Sequence, residues 1–174
     1  MPPAAPGILD PPPTGMYLSP MAAERHDDGP ADDGRILALD FGTRRIGIAL
    51  SDPLRLTASP LMTLTRQSQA RDLAALRAMA EEHAVRRIVV GLPLAMNGTR
   101  TAMTDKAEQF AGSVGRATGL PVETWDERLT TAQATRVLLE GDVRRDRRRE
   151  VIDQVAAVIL LQSYLDARRM GSDA

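Results

Sequence analysis

The connection between the first two apolar segments of the chain is the feature that most restricts how it can fold. Residues 36–40 (Ile-Leu-Ala-Leu-Asp) and 46–50 (Ile-Gly-Ile-Ala-Leu) each have the composition of a buried β-strand. Only residues 41–45 join them, whereas a parallel crossover needs about a dozen residues or more. We therefore expect the two strands to pair antiparallel. Gly47 is expected to supply backbone freedom near this hairpin.

After the hairpin, the hydrophobic pattern changes between extended and helical periods. Thr130 and Gln133 have the spacing of a capping box, which predicts that one of the helices begins there. Three strands in succession followed by strand–helix units predict an α/β fold, with a mixed five-stranded sheet flanked by helices. The remaining predicted elements are strands over 57–65, 87–92 and 122–125 and helices over 69–83, 104–117, 130–139 and 149–169.

Composition separates the first 34 residues from the rest of the chain. Eight of the 12 prolines lie there, together with six acidic residues and one arginine. Such a segment cannot bury enough apolar surface to offset the entropy lost on ordering. We therefore predict a disordered tail over 1–34, one folded domain over 35–170 and a short C-terminal tail over 171–174.

Two absences narrow the class of protein. The chain has no cysteine, which removes disulfides, thiol catalysis and cysteine-ligated zinc and is typical of a cytoplasmic protein. No apolar run approaches the roughly 18 residues that a transmembrane helix needs, so we expect no membrane partner.

Three acidic residues lie where packing gives no reason for a charge. Asp40 ends the first apolar strand, Glu127 follows the fifth strand, and Asp153 lies in a helix that is apolar on almost every side. By helical spacing, Asp153 shares its face with Ala157 and Leu160. An unpaired carboxylate on a buried face would cost roughly several kcal/mol, so we expect an arginine, a proton or a metal ion to compensate it.

Each acid taken alone also has a structural explanation. Asp40 is suited to cap a turn, Glu127 to pair with the arginine that follows it, and Asp153 to complement a helix dipole. Together the three favour a functional site, because a few carboxylates with water and substrate phosphate are typical ligands of Mg²⁺.

Four sequence motifs resemble those of a known family. Residues 39–52 resemble an opening D-x-G-x-(K/R)-R-I-G-(V/I)-A-x-S-D motif, and residues 91–98 resemble a central motif that begins G-L-P. Residues 126–131 match D-E-R-L-(T/S)-(T/S), and residues 152–165 resemble the last helix of the family. Because all four occur in the family's order, the chain is similar to the YqgF family.

The resemblance implies a ribonuclease-H-like three-layer fold and a metal-dependent nuclease. The family is described as Holliday junction resolvases and as nucleases that mature the 5′ end of the 16S rRNA precursor. Its acidic site corresponds to Asp40, Glu127 and Asp153, which would be both the catalytic residues and the ligands of Mg²⁺ or Mn²⁺. Nucleic acid is then the expected partner, with precursor rRNA favoured and branched DNA possible. In one departure, residues 100–101 are Arg-Thr where members usually have Glu-Gly.

Arginines are expected to contact the phosphates of such a substrate. Arg44, Arg45 and Arg128 lie beside the acids in sequence, and they would either hold a scissile phosphate or neutralise the carboxylates. A second group forms a basic run just before the final helix. Its members are Arg144, Arg145, Arg147, Arg148 and Arg149.

Other functions fit parts of the same pattern. A non-catalytic RNA-binding or ribosome-assembly module would use the basic run and keep the acids as features of the fold. A Holliday junction resolvase would cut branched DNA with two active sites, so the choice between monomer and homodimer stays open. A sugar-kinase or actin-like ATPase would use residues 40–43 as a phosphate loop. It would also need a second domain and a second Asp-x-Gly-Thr, which these 174 residues do not contain.

Overall fold

The computed structural model describes residues 34–128 and 145–172, and it describes side chains over 34–128 and 150–171. The tail predicted over 1–34, apart from its last residue, lies outside the described residues, and so does the helix predicted over 130–139. The side chains of the predicted basic run also lie outside them.

A mixed five-stranded sheet forms the centre of the described fold. β1 (Arg35–Phe41), β2 (Arg45–Ser51) and β3 (Ala58–Thr65) form an antiparallel meander. β4 (Val85–Leu92) pairs parallel with β1, and β5 (Val122–Asp126) pairs parallel with β4. The strand order is β3-β2-β1-β4-β5, which confirms the predicted mixed sheet and its antiparallel first pair.

Helices cover both faces of this sheet. α1 (Gln69–Glu82) and α2 (Ala102–Thr118) pack on one face, and α3 (Arg145–Ser172) packs on the other. α3 extends past both of its predicted ends. Within the described parts of the chain, no helix has the length and apolar character needed to cross a membrane.

The two residues that depart from the family pattern both stabilise the start of α2. The Thr101 hydroxyl accepts a hydrogen bond from the Thr104 backbone N–H, which caps the helix two residues earlier than predicted. Arg100 donates to Asp105 at 2.7 Å and to Glu108 at 2.6 Å, so it pairs with two acids of the first helical turns. The departure therefore preserves the helix rather than disrupting it.

Side-chain alternation decides which residues of each strand face α3. On β1, Ile36 and Ala38 point to α3, whereas Leu37 and Leu39 point to α1 and α2. Asp40 lies two residues after Ala38, so its side chain points to α3 as well. By the same alternation, the α3 face of the sheet carries Gly47 and Ala49 of β2, Val89 and Gly91 of β4, and Glu123 and Trp125 of β5.

Candidate active site

A glycine in β2 brings Asp153 next to Asp40. Gly47 lies directly opposite Asp40 in the antiparallel register. A Cβ atom at Gly47 would overlap the backbone carbonyl group of Asp153, so the lack of a side chain lets α3 approach the sheet. Among the described glycines only Gly98 and Gly119 have a positive φ. The predicted need for backbone freedom at Gly47 is therefore wrong, because the close approach of α3 is what requires glycine.

A second glycine makes room for Glu127. Leu39 of β1 pairs with Val90 of β4, so Gly91 lies one position further along, beside Asp40. A Cβ atom at Gly91 would overlap the Glu127 carboxylate, so this side chain lies across the end of β4. This role of Gly91 was not predicted from the sequence. The sequence signals were the position of this glycine near the end of a strand of bulky residues and its place at the start of the G-L-P motif.

Asp40 and Glu127 form a buried pair with raised pKa values. Burial raises the pKa of Asp40 to about 6, a hydrogen bond with Glu127 opposes the rise, and the charge of Asp153 adds to it. Burial, followed by the negative charge of Asp40, raises the pKa of Glu127 to about 9. Near neutral pH the pair therefore retains one proton, carried by Glu127 and shared with Asp40. Full ionisation of both groups requires a compensating cation.

Asp153, the third predicted acid, is held by an arginine. Arg45 Nε donates to Asp153 Oδ2 at 2.8 Å, and both side chains are partly exposed. The pair lines a cleft of about 280 Å³ at the hairpin turn, together with Gly42, Thr43 and Arg44. The structure thus brings all three predicted acids together, with two of the predicted phosphate-binding arginines beside them.

Arg128 lies at the end of β5 and is held by Asp126. Its backbone N–H donates to Asp126 Oδ1 at 3.0 Å, and its Nε donates to Oδ2 at 2.7 Å. The hydrogen bond from this guanidinium lowers the pKa of Asp126. Asp126 therefore stays ionised and orients Arg128, in contrast to the neighbouring Glu127.

Two hydrogen bonds fix β5, and with it Glu127, against α3. The Tyr164 hydroxyl donates to Glu123 at 2.9 Å, and Trp125 Nε1 donates to Ser163 Oγ at 3.3 Å. The Trp125 and Tyr164 rings also meet edge to face, with centroids 5.3 Å apart. These contacts, which were not predicted from the sequence, set the distance between the end of β5 and the acid on α3.

The donor chemistry of the buried acids fits a hard divalent cation. Carboxylate oxygens are the ligands that Mg²⁺ prefers. Burial, and after it the negative charge of neighbouring carboxylates, raises the pKa values of Asp40 and Glu127, and a bound cation would offset both effects. No group of three or more His, Cys, Asp or Glu side chains in the described ranges is arranged as a preformed metal site. Asp153 is paired with Arg45 instead, so a three-carboxylate metal site stays a prediction.

We expect wild-type protein to lose stability as the pH rises from about 5 to about 9, and Glu127→Gln to remove most of this loss. The folded-state pKa of Glu127, about 9, lies above its ordinary value of 4.5. The folded state therefore binds the proton more tightly, and its stability falls as the pH rises through the folded pKa. In thermal melts the wild type should lose roughly 3 °C or more relative to the variant by about pH 9.

The exposed carboxylate of Glu82 on α1 provides the matched control. Glu82→Gln should keep the pH slope of the wild type. Identical slopes for wild type and Glu127→Gln would contradict the buried, protonated state of Glu127.

By sequence, the chain is similar to one family model and to curated proteins that share a single description. The family model described as "RuvX: Holliday junction resolvase" matches residues 34–167. A protein of Koribacter versatilis is 50% identical over 135 residues, which cover 78% of this chain and 88% of that protein. A protein of Myxococcus xanthus is 52% identical over 135 residues, covering 78% of this chain and 89% of that protein. Both carry the description "Putative pre-16S rRNA nuclease".

Comparison with solved structures confirms the ribonuclease-H-like fold. Thermus thermophilus RuvC in complex with a Holliday junction substrate has a TM-score of 0.52 and 17% sequence identity, and the match covers 78% of this chain and 96% of RuvC. The fowlpox virus resolvase, in complex with its Holliday junction DNA, has a TM-score of 0.50 and 12% identity, with 77% of this chain and 98% of the resolvase covered. At these identities the similarity concerns the fold alone.

Proposed function

The chain belongs to the RuvX family of Holliday junction resolvases, and on this premise we propose that it is a nuclease whose substrate is precursor 16S rRNA. It would hydrolyse phosphodiester bonds with Mg²⁺ or Mn²⁺ as its cofactor. The meeting of Asp40, Glu127 and Asp153 at one sheet edge is the observation that carries the proposal. The description shared by the curated relatives supports RNA as the substrate.

The acids would hold the cation by exchanging their present partners. Asp40 and Glu127 would give up their shared proton, and Asp153 would leave Arg45. The bound cation would lower the pKa of a water molecule and offset charge on the scissile phosphate. Because α3 and the end of β5 are tied together, the backbone positions of Glu127 and Asp153 would keep their spacing while the side chains turn to the cation.

Arg45 would then be free to contact the substrate. Its guanidinium already lines the cleft beside the acids, where Arg44 also lies. Arginine binds phosphate with two parallel hydrogen bonds, so a phosphate in this cleft would replace the Asp153 carboxylate as its partner. Arg128 at the end of β5 and the basic run over 144–149 remain predicted phosphate contacts.

Arg45→Gln should weaken RNA binding by about tenfold and reduce the salt dependence of the binding constant by about one unit, because one phosphate contact is lost. The same variant should bind Mn²⁺ more tightly in the absence of RNA, because Asp153 no longer has a competing partner. Fluorescence anisotropy of labelled RNA over a salt series and calorimetric titration with Mn²⁺ measure the two effects.

Arg77→Gln is the control for this pair of measurements, since Arg77 is an exposed arginine on α1 that pairs with Glu81. It should change neither binding constant. Weaker Mn²⁺ binding by Arg45→Gln would show that Arg45 supports the cation site rather than competing with it.

A cleavage assay tests the proposed function directly. The precursor 16S rRNA leader and a four-way DNA junction are compared with Mg²⁺ or Mn²⁺, using wild type and Asp153→Asn. We expect cleavage of the RNA, slowed by about 100-fold or more in Asp153→Asn. Asp166→Asn changes a half-exposed carboxylate on the same helix and should cleave at the wild-type rate.

A resolvase acting on branched DNA is the second candidate, favoured by the description of the family model. Cleavage of the junction but not of the RNA would assign that function, and it would also require two copies of the chain to cut symmetrically. Tight RNA binding without cleavage in either metal ion would instead indicate a non-catalytic RNA-binding module.

A further inference from the structure

A second pocket lies at the same sheet edge as the acids, on the opposite face of the sheet. Phe41 follows Asp40 in β1, and by alternation its ring points to α1 and α2. The pocket has a volume of about 320 Å³, in the range of ligand-binding pockets. Its lining residues are Phe41, Arg66, Gln69, Lys106, Gln109 and Phe110.

We propose that this pocket binds one unpaired nucleobase of the substrate strand, next to the phosphate that is cut. This inference rests on the proposed nuclease function and adds a requirement to it. The substrate would need a single-stranded nucleotide beside the cleavage position.

The floor of the pocket is a stack of flat groups that ends in the Arg66 guanidinium. The Phe41 and Phe110 rings stack with centroids 4.4 Å apart and an interplanar angle of 25°. The Arg66 guanidinium lies over the Phe41 ring, 4.6 Å from its centroid. Because Phe41 is only 7% and Phe110 only 5% exposed, the partly exposed Arg66 guanidinium, backed by these rings, offers the surface on which a base would stack. Proteins that bind single-stranded nucleic acid stack bases on aromatic rings and on the flat faces of arginines.

Arg66 is fixed in place by the protein itself. Its Nε donates to the Asp72 carboxylate at 3.4 Å, and Asp72 is only 2% exposed. Its Nη1 donates to the Gly42 carbonyl at 3.2 Å. Gly42 also lines the cleft beside Asp153. A strand that crosses this turn could therefore place a phosphate in the cleft and the adjoining base in the pocket.

The rim of the pocket supplies polar groups that suit a nucleotide. Lys106 and Gln109 are exposed and lie about one turn apart on α2. Gln69, at the start of α1, donates through Nε2 to Ser113 Oγ at 3.0 Å, which orients its amide group. Side-chain amides can pair with base edges, and lysine binds phosphate oxygens. The stacked groups of the floor, the two glutamine amides and the lysine cation together distinguish this pocket from a purely apolar cavity.

Fluorescence of 2-aminopurine tests the inference without requiring cleavage. The probe is placed at successive positions of a single-stranded RNA that flanks a hairpin, and binding is measured with Asp40→Asn protein. We expect the fluorescence to be quenched when the probe occupies one particular position of the RNA. Lys106→Met combined with Gln109→Ala should reduce both the quenching and the affinity by about tenfold. Arg77→Met, which removes an exposed cation from α1, should change neither quantity.

Each other outcome has a definite meaning. Unchanged quenching in the double variant, with an unchanged melting temperature, overturns the inference. Tighter binding of adenosine monophosphate than of the RNA assigns the pocket to a free nucleotide and overturns its role in the substrate strand. Quenching by a wild type that cleaves no nucleic acid refutes the proposed nuclease but keeps the pocket. Cleavage without quenching at any position refutes the pocket alone.

Discussion

Asp40→Asn is expected to reduce cleavage of precursor rRNA by about 1,000-fold or more while leaving the protein folded. Asparagine keeps the shape of the side chain but removes the charge that the proposed cation needs. Burial raises the pKa of Asp40 to about 6 and the charge of Asp153 adds to the rise, so asparagine also removes the cost of burying this charge and its repulsion from Asp153. The melting temperature should therefore equal or exceed that of the wild type, and initial rates with saturating Mn²⁺ measure the loss of activity.

Glu81→Gln is the control for this experiment, because Glu81 is an exposed carboxylate on α1 with an arginine partner. It should cleave at the wild-type rate. An Asp40→Asn protein that cleaves as fast as the wild type would remove Asp40 from the active site.

Gly47→Ala is expected to lower the free energy of unfolding by about 2–3 kcal/mol and to abolish cleavage. The new Cβ atom would overlap the backbone carbonyl of Asp153, and backbone atoms of a helix cannot rotate away as a side chain can. α3 must then move off β2, which separates Asp153 from Asp40. Urea denaturation measures the stability change, and the rate of RNA cleavage measures the effect on the site.

Gly112→Ala provides a matched glycine substitution on the opposite face of the sheet. The nearest atom to its new Cβ would be Nη1 of the flexible Arg116, at 3.4 Å. Because alanine favours the helix more than glycine, this variant should be more stable than the wild type by about 0.5–1 kcal/mol. Equal destabilisation by both variants would contradict the close contact assigned to Gly47.

The sheet and the described helices were predictable because their signals are local. The short connection over 41–45 leaves antiparallel pairing as the economical arrangement for β1 and β2, and apolar spacing marks α1 and α2. The start of α2 was harder to predict. It depends on the hydroxyl of Thr101 reaching the backbone of Thr104, whereas the apolar spacing begins later.

The three acids were predictable because they lie at the ends of apolar strands and on an apolar helix. The contacts that arrange them were not predictable. Arg45 meets Asp153 across 108 residues, and no local pattern indicates which arginine would do so. The role of Gly91 depends on where the Glu127 side chain lies, which is a property of the assembled sheet. The sequence therefore indicated the candidate acids, whereas packing determined their partners.

The anomalous signal of Mn²⁺ in crystals grown with that ion is the most direct test of the acidic site. We expect Mn²⁺ bound by carboxylate oxygens of Asp40 and Glu127, with Asp153 turned from Arg45 towards the ion. A site without Mn²⁺ at a concentration that supports cleavage, or an ion bound elsewhere in the molecule, would contradict the proposal that these carboxylates hold the catalytic metal.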